Sequence, residues 1–501
     1  MILHNATFVF REDAEVLVIE GDRIAAIDRQ DEIPEDLVAD RERIDLDGAA
    51  VLPGFVDAHV HLFDAGLTEL GWRVDLSGKS RDETLAALAE GVRSRGEGDW
   101  LIGAGWDESG WDDRRYLTRR ELDRVSTRSP IGAVRMDGHL LVANSAAFRV
   151  LDDRPLAGFD RTLADRGTGQ IREESVWRLL ESIEPDEATL FDALGAAAGL
   201  CHRHGITSVH AMTSESRLPV LVRAGGRNRL RVNAYHKVSA PAEIDSVRVS
   251  GGFDGNWLRF GGIKAFADGS LGAGNAAVGT PYPGGGTGAL NHDEEELAEI
   301  VRRSERAGWQ TAFHAIGDRA IEQVLRVHAA VETSPELRHR IEHAELASRD
   351  QIMRAKDLGL TLSMQPNFIG NWSGPGSMNE RRLGRARDEA SNPLRWVLGA
   401  GTPLAFGSDG MPVSPLYGLH SAVNGPYGSQ RIGVDEAIAA YTAGGARLSF
   451  EEDVKGALDV GAYADLVVLD EDPRLAPDRL SDRRIVRVIV GGEEVFEAGE
   501  G

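Results

Sequence analysis

The strongest constraint on the fold is a set of polar residues scattered along the chain, each closing a short apolar run: Asp57-Ala58-His59-Val60-His61, then Lys264, His314, His343 and Asp409. Residues so far apart meet in one place if each run is a strand whose end faces the same way. A closed parallel barrel provides that at its carboxyl-terminal rim. Two histidines separated by one residue leave a strand on the same side. Imidazole and carboxylate suit zinc and its first-row neighbours, and an open coordination position can hold water. The pattern reads as a metal-dependent hydrolase.

Eight β-rich runs end in a polar or glycine cluster and lead into a helical stretch: 51–56, 207–211, 229–235, 258–266, 310–314, 339–343, 361–366 and 404–408. They predict a (β/α)8 TIM barrel, an α/β fold, over 53–452. The interval between the first and second runs exceeds one crossover helix. Residues 63–185 are therefore expected as an insertion, too long for a structureless loop, that leaves the rim and covers the site. The amino-terminal strand-like pieces, with Gly21-Asp22 as a hairpin signal, and the carboxyl-terminal pieces around Ala464 to Asp470 and Val486 to Val490 are each too small for a core. Residues 1–52 and 453–501 are expected to pair into one composite β-sandwich domain.

A net charge of -24 opposes binding to phosphate backbones, so a small-molecule substrate is expected, with no nucleic acid. Only five of the 56 basic residues are lysines: Lys79, Lys237, Lys264, Lys356 and Lys455. Salt adaptation and high-GC codon usage both produce such a bias. The single cysteine, Cys201, excludes an intrachain disulfide, fits a reducing compartment, and reads as a small buried residue on a helix. The amino terminus lacks the pattern of a secretory signal, and no apolar run approaches the ~20 residues of a membrane span. A soluble, cytoplasmic protein without membrane contact is the expectation.

Pro53-Gly54-Phe55-Val56-Asp57-Ala58-His59-Val60-His61, the ordered Lys264, His314, His343 and Asp409, and Gly461-Ala462-Tyr463-Ala464-Asp465-Leu466-Val467-Val468 together resemble the amidohydrolase superfamily over nearly the whole chain. Trp106-Asp107-Glu108, Arg135-Met136-Asp137-Gly138-His139, Asn144-Ser145, Lys264 to Ser270, His314 to Asp318 and Arg340 to Ala344 are similar to one branch of it. That branch holds N-substituted formamide deformylases and YtcJ-like hydrolases of unassigned substrate.

The resemblance implies a divalent metal, zinc foremost, as one or two ions. His59 and His61 would bind the more buried ion, completed by Asp409, and His314 and His343 the other. A protonated Lys264 offers no lone pair. In the family a lysine here often reacts with carbon dioxide to give a carbamate bridging both ions, and a buried lysine of depressed pKa is nucleophilic enough for it. The alternative is an uncarboxylated Lys264 paired with Asp268 or a substrate carboxylate. The ion would acidify water toward a pKa of ~7 for attack on a carbonyl. Asp409 would act as ligand and then as the base that passes a proton to the leaving nitrogen.

Asp409, His343 and the insertion residue His139 are the expected catalytic residues, His139 reaching the substrate or its oxyanion or else serving as an ordinary hydrogen-bonded histidine. Glu173 is a second candidate ligand, ranked below Lys264. His210 is expected at the rim, where relatives commonly carry an acid. Substrate contacts are expected from Trp106, Asp137, Asp268, His210 and Gln365, with Trp106 alternatively part of the lid core. The arginines between Arg381 and Arg387 read as an anion site or a salt-bridge lattice.

The expected activity is hydrolysis of a carbon-nitrogen bond other than a peptide bond, in a linear amide or N-substituted formamide. The alternatives are a cyclic amidase or deaminase and, from another class, a noncatalytic metal-binding scaffold or regulator. The resemblance further implies a homodimer.

Overall fold

The computed structural model describes residues 1–245, 247 and 255–499. Eight strands form one parallel sheet in chain order: β1 (Phe55–Val60), β2 (Ile206–Thr213), β3 (Arg231–Lys237), β4 (Leu258–Phe266), β5 (Gln310–Ala315), β6 (Arg340–His343), β7 (Thr361–Met364) and β8 (Leu404–Phe406). The seam between β8 and β1 is bridged just past the strand ends. There Asp409 N–H donates to the His59 carbonyl at 2.8 Å, and the Ser408 N–H and hydroxyl donate to the buried Asp57 carboxylate at 2.9 and 2.5 Å. The expected (β/α)8 TIM barrel is the fold. Its outer helices bury one apolar face against the strands. The helix Glu294–Ala307, for example, starts from an Asp293–Glu296 capping box, stops at the left-handed Gly308, and turns Leu297, Ile300, Val301 and Ser304 inward.

The first barrel strand is displaced from its expected position at 51–56. Ala50–Pro53 pairs antiparallel with Leu466–Leu469 in a different sheet, and the barrel is entered only from Phe55. Gly54 is the crossing point: a Cβ there would stand 2.3 Å from the Thr207 side chain on β2. The last strand stops at Phe406 rather than Ser408, because Gly407 passes so close to β1 that a Cβ would lie 2.4 Å from the His59 nitrogen.

Both chain ends build the accompanying β-structure. A four-stranded sheet takes Ile2–His4, Val16–Glu20, Arg23–Asp28 and Arg43–Asp45. A five-stranded sheet combines Thr7–Phe8 and Ala50–Pro53 with Leu466–Leu469, Ile485–Val490 and Glu493–Glu497. Leu3, Leu17, Val51, Val468 and Ile489 belong to one apolar cluster that draws on both sheets.

Between β1 and β2 the chain forms a six-stranded sheet of its own, from Val74–Asp75 to Gln170–Arg172. Its faces carry two cores. Leu140 and Val142 join Trp106 and Trp111 in one, while Leu141 and Ala143 join Phe148 and Ile171 in the other, as strand alternation requires. Cys201 is buried on the helix Glu187–Arg203 that leads back to β2. Among the described residues no helix is long and apolar enough to cross a membrane.

Candidate metal centre

His59 lies on β1 and His61 just beyond its end, at the start of the helix Leu62–Glu69. The two rings project to the same side and meet Asp409 across the barrel seam. Asp409 Oδ1 stands 3.3 Å from His61 Nε2 and 3.6 Å from His59 Nε2, and one donor atom of each residue falls within 4.8 Å of the other two. Asp409 holds a left-handed backbone, φ 53°, and its buried Oδ1 has no hydrogen-bond partner. Both features carry a free-energy cost, and both aim an unsatisfied oxygen at the two imidazoles. The donor set and the orphaned oxygen fit a divalent cation.

The partners behind the rings fix their tautomers. Glu342 Oε2 accepts from His59 Nδ1 at 2.5 Å, leaving the Nε2 lone pair toward Asp409. Glu342 is fully buried and is anchored by Arg340, whose Nε and Nη2 donate to it at 2.5 and 2.9 Å. Arg340 also donates to the Ala58 carbonyl and the Ser363 hydroxyl, so a paired charge network fills the barrel directly beneath the site. Opposite, Gln365 Oε1 accepts from His343 Nδ1 at 2.6 Å, and the Gly269 carbonyl accepts from His314 Nε2 at 3.1 Å. Each of these histidines keeps one ring nitrogen for a ligand, and their ring centroids are 4.6 Å apart. His343, like Asp409, is left-handed, at φ 71°.

Burial lowers the pKa of His59 to about 4, with Lys264 adding to the shift and Glu342 opposing it. It holds those of His61, His314 and His343 well below the ordinary imidazole value. All four are therefore neutral, the state that can bind a cation. Lys264 is completely buried on β4, and its Nζ has no hydrogen-bond partner. Burial pulls the ammonium pKa down against the opposing pull of Glu342 and Asp409. Burial likewise pushes the Asp409 carboxyl up, against Lys264 and His139.

His139 reaches in from the insertion, its ring 4.9 Å from that of His314. Its Nδ1 bonds Glu173 Oε2 at 2.8 Å, and Glu173, left-handed at φ 49°, also accepts from the Asn275 amide. Burial would lower the His139 pKa, but Glu173, Asp137 and Asp268 outweigh it and raise the pKa to about 9. Glu173 is thus bound to a histidine of the lid and is not part of the His59–His61–Asp409 cluster.

The other residues singled out from the sequence separate into those that line the cavity and those that support it. Asp137 lines the cavity and accepts from Arg135 at 2.7 Å and Ser270 at 2.6 Å. Gln365 acts through His343. Asp268 is fully buried and accepts the N–H groups of Ala277, Ile316 and Gly317, so it shapes the loops after β4 and β5. Trp106 is buried in the core of the insertion, with its indole N–H on the Ala133 carbonyl. His210 is also fully buried and contacts Arg340 Nη1 at 2.9 Å and the Tyr235 ring, below the rim rather than at it. Arg382 donates to the Gly272 carbonyl and the Tyr116 hydroxyl, and Arg387 to the Thr280 carbonyl.

Sequence reasoning missed the support role of Glu342 and Arg340. A signal was present: two opposite charges two residues apart on a strand, directly before His343, share a face. It also missed Lys237, on the wall of the cavity.

Imidazoles and a carboxylate gathered at the carboxyl rim of a parallel barrel define a metal-dependent hydrolase. The chain belongs to the amidohydrolase family, whose model matches residues 42–496. It is 32% identical over 496 residues to the putative amidohydrolase YtcJ of Bacillus subtilis, covering 91% of this chain and 90% of that one. An N-substituted formamide deformylase of Arthrobacter pascens is 27% identical, covering 97% and 95%. The crystal structure of an uncharacterized metal-dependent hydrolase from Pyrococcus furiosus superposes with a TM-score of 0.74 at 30% identity, covering 94% of this chain and 99% of that one.

Proposed function

We propose that the protein hydrolyses a linear amide carbon-nitrogen bond other than a peptide bond, with an N-substituted formamide as the first substrate class. The observation that carries the reading is the convergence of His59, His61 and the partnerless Asp409 Oδ1 on one point at the barrel rim. These three would hold one divalent ion, zinc by their nitrogen and oxygen donors. His314 and His343, with Lys264 as its carbamate, would hold a second. The bound metal supplies a Lewis acid for the carbonyl and an acidified water.

The rest falls to the chain. Asp409 takes a proton at Oδ2, the oxygen not directed at the two imidazoles, and returns it to the leaving nitrogen. Glu173 orients His139, which is cationic at neutral pH and donates a hydrogen bond to the carbonyl oxygen as negative charge develops there. Lys264, its ammonium pKa lowered by burial to about 8, gives up one proton, adds through Nζ to the carbon of carbon dioxide and loses a second proton. The insertion, residues 63–185 of the barrel domain, closes over the site and excludes water.

A small acyl group is favoured by the recess that opens off the site past His314 and His343. Its volume is about 30 Å³, and Leu271, Ile316, Phe368, Trp372, Met378 and Met411 line it together with Arg135, Asp137, Ser270 and Glu345. That is room for two or three heavy atoms at most, given that a single water needs roughly 10–15 Å³. The test is product analysis on metal-replete protein with a panel of formamides, acetamides and nitrogen heterocycles. Formate with an amine supports the reading. Ammonia from a heterocycle replaces it with a deaminase, and metal binding without turnover on the panel replaces it with the scaffold reading.

A further inference from the structure

Resting on the amide-hydrolase reading above, we propose that the amine portion of the substrate carries a carboxylate, or an equivalent small anionic group, and that Lys237 is the residue that binds it. The main cavity, of about 400 Å³, has two ends. The recess described above meets it at His139, His314, His343 and Asp409 and along Arg135 and Asp137, which pair with each other. At the other end Asp64, Arg73 and Lys237 line the wall near His61, and none of the three lines the recess. A bond cleaved at the junction leaves a small acyl group in the recess and its amine in the larger, charged space.

The cations at that end are not paired alike. Asp64 accepts from Arg73 Nη2 at 3.0 Å and from Arg217 Nη1 at 2.9 Å, and Arg217 also binds Glu184. Two carboxylates are thereby saturated by two guanidinium groups. Glu181, the next acid in range, shares Arg178 with Glu174 and Glu243. The side chain of Lys237, at the last position of β3, makes no hydrogen bond or ion pair with any described residue. Of the cavity-lining cations Arg73, Arg135 and Lys237, it alone has no carboxylate partner among the described residues. A partly buried ammonium without an anion is costly, and an anion supplied by the ligand relieves that cost with charge-assisted hydrogen bonds. Four of the five lysines are accounted for elsewhere or lie outside the cavity. Lys455 is paired with Glu451, Lys356 caps the Ala400 carbonyl, Lys79 is absent from the cavity lining, and Lys264 is enclosed beneath the metal centre.

N-formylphenylalanine and its decarboxylated counterpart, N-formylphenethylamine, differ only in the carboxylate and test the proposal directly. Formate release should show kcat/KM favouring the carboxylate by about ten- to a hundredfold, the range for a hydrogen bond to a charged group. Lys237→Gln should bring the ratio near one, and Lys237→Arg should restore it. An unchanged ratio in Lys237→Gln, or no preference in the wild type, overturns the proposal. Calorimetric titration of both compounds into Asp409→Asn protein held in excess divalent metal, since the variant lacks an anionic ligand, with and without Lys237→Gln, separates this from the formamide reading. If neither compound is turned over, the formamide reading fails. Selective carboxylate binding that disappears with Lys237 still upholds the anion site, and equal binding of both compounds ends it.

Discussion

On the seam side of the barrel, His59, His61 and Asp409 bring three donors within 4.8 Å using protein atoms alone, whereas on the far side His314 and His343 bring two rings 4.6 Å apart, and the Asp268 carboxylate, 3.6 Å from His314 Nε2, is taken up by the Ala277, Ile316 and Gly317 N–H groups. The seam donors come from the two strands that close the barrel, and Asp57 clamps those strands by accepting from Ser408 and the His59 N–H. The far-side donors sit on neighbouring strands and face Lys264, a residue that can contribute an oxygen only after chemical modification. A preorganised site and an incomplete one therefore share the same cavity. The seam ion should be the tighter one and independent of carbon dioxide, and the far ion should depend on Lys264.

The largest effect that would break this comparison is expected at Asp409. Asp409→Asn keeps the size and removes both the anionic ligand and the proton acceptor, so turnover should fall by a factor on the order of 10²–10⁴ while the fold is retained. Steady-state rates with metal analysis check it. Near-normal activity would take Asp409 out of the chemistry and leave the seam without its function.

Lys264→Ala should act on the far side alone. Metal content should fall from near two equivalents to near one, and a carbon dioxide adduct released from the wild-type protein by mild acid should be missing from the variant's intact mass. Two retained equivalents would show that His314 and His343 find another third donor, and the asymmetry drawn here would be wrong.

Glu342→Gln distinguishes the seam from the far side in the opposite sense. His59 would lose its anionic acceptor, which should weaken metal binding on the seam side by about 10–100-fold. Arg340 would be left buried with a neutral partner, and breaking such a pair costs about 3–5 kcal/mol. Chelator competition and thermal unfolding of the same variant give the two numbers. A loss of stability without a loss of metal affinity would make Glu342 a packing residue only.

The barrel and the seam residues were legible because each strand ends in a residue that an apolar run does not explain. The run 258–266 was read with its exact bounds. The first strand was misplaced because 50–60 is one nearly continuous apolar stretch, and periodicity has no term for a chain that crosses from one sheet to another at Gly54. His210 illustrates a different limit. It belongs to a barrel strand, as expected, but Arg340 on β6 holds its Nδ1 below the rim, and that contact spans 130 residues. The proposed anion-binding end of the cavity was invisible for the same reason: Asp64, Arg73, Arg217 and Lys237 are unremarkable singly, and that Lys237 is left without a carboxylate partner shows only once the barrel brings them together.

The smallest effect concerns how the insertion is held over the far side. Trp372, in the helix after β7, donates its indole N–H to Asp107 of the insertion at 2.8 Å, and Asp107 also receives Arg135 at 3.3 Å. Arg135 in turn grips Asp137, two residues before His139. Trp372→Phe keeps an aromatic wall on the recess and deletes only the hydrogen bond, a loss of about 1 kcal/mol. The insertion should open more often, raising hydrogen exchange over 101–139 and KM by about fivefold. His139 stands over His314, so the disturbance should fall on the far side, while metal affinity on the seam side, set by β1 and β8, should stay as it is. Equal weakening of both ions in this variant would show that the lid, and not the barrel strands, organises the whole centre.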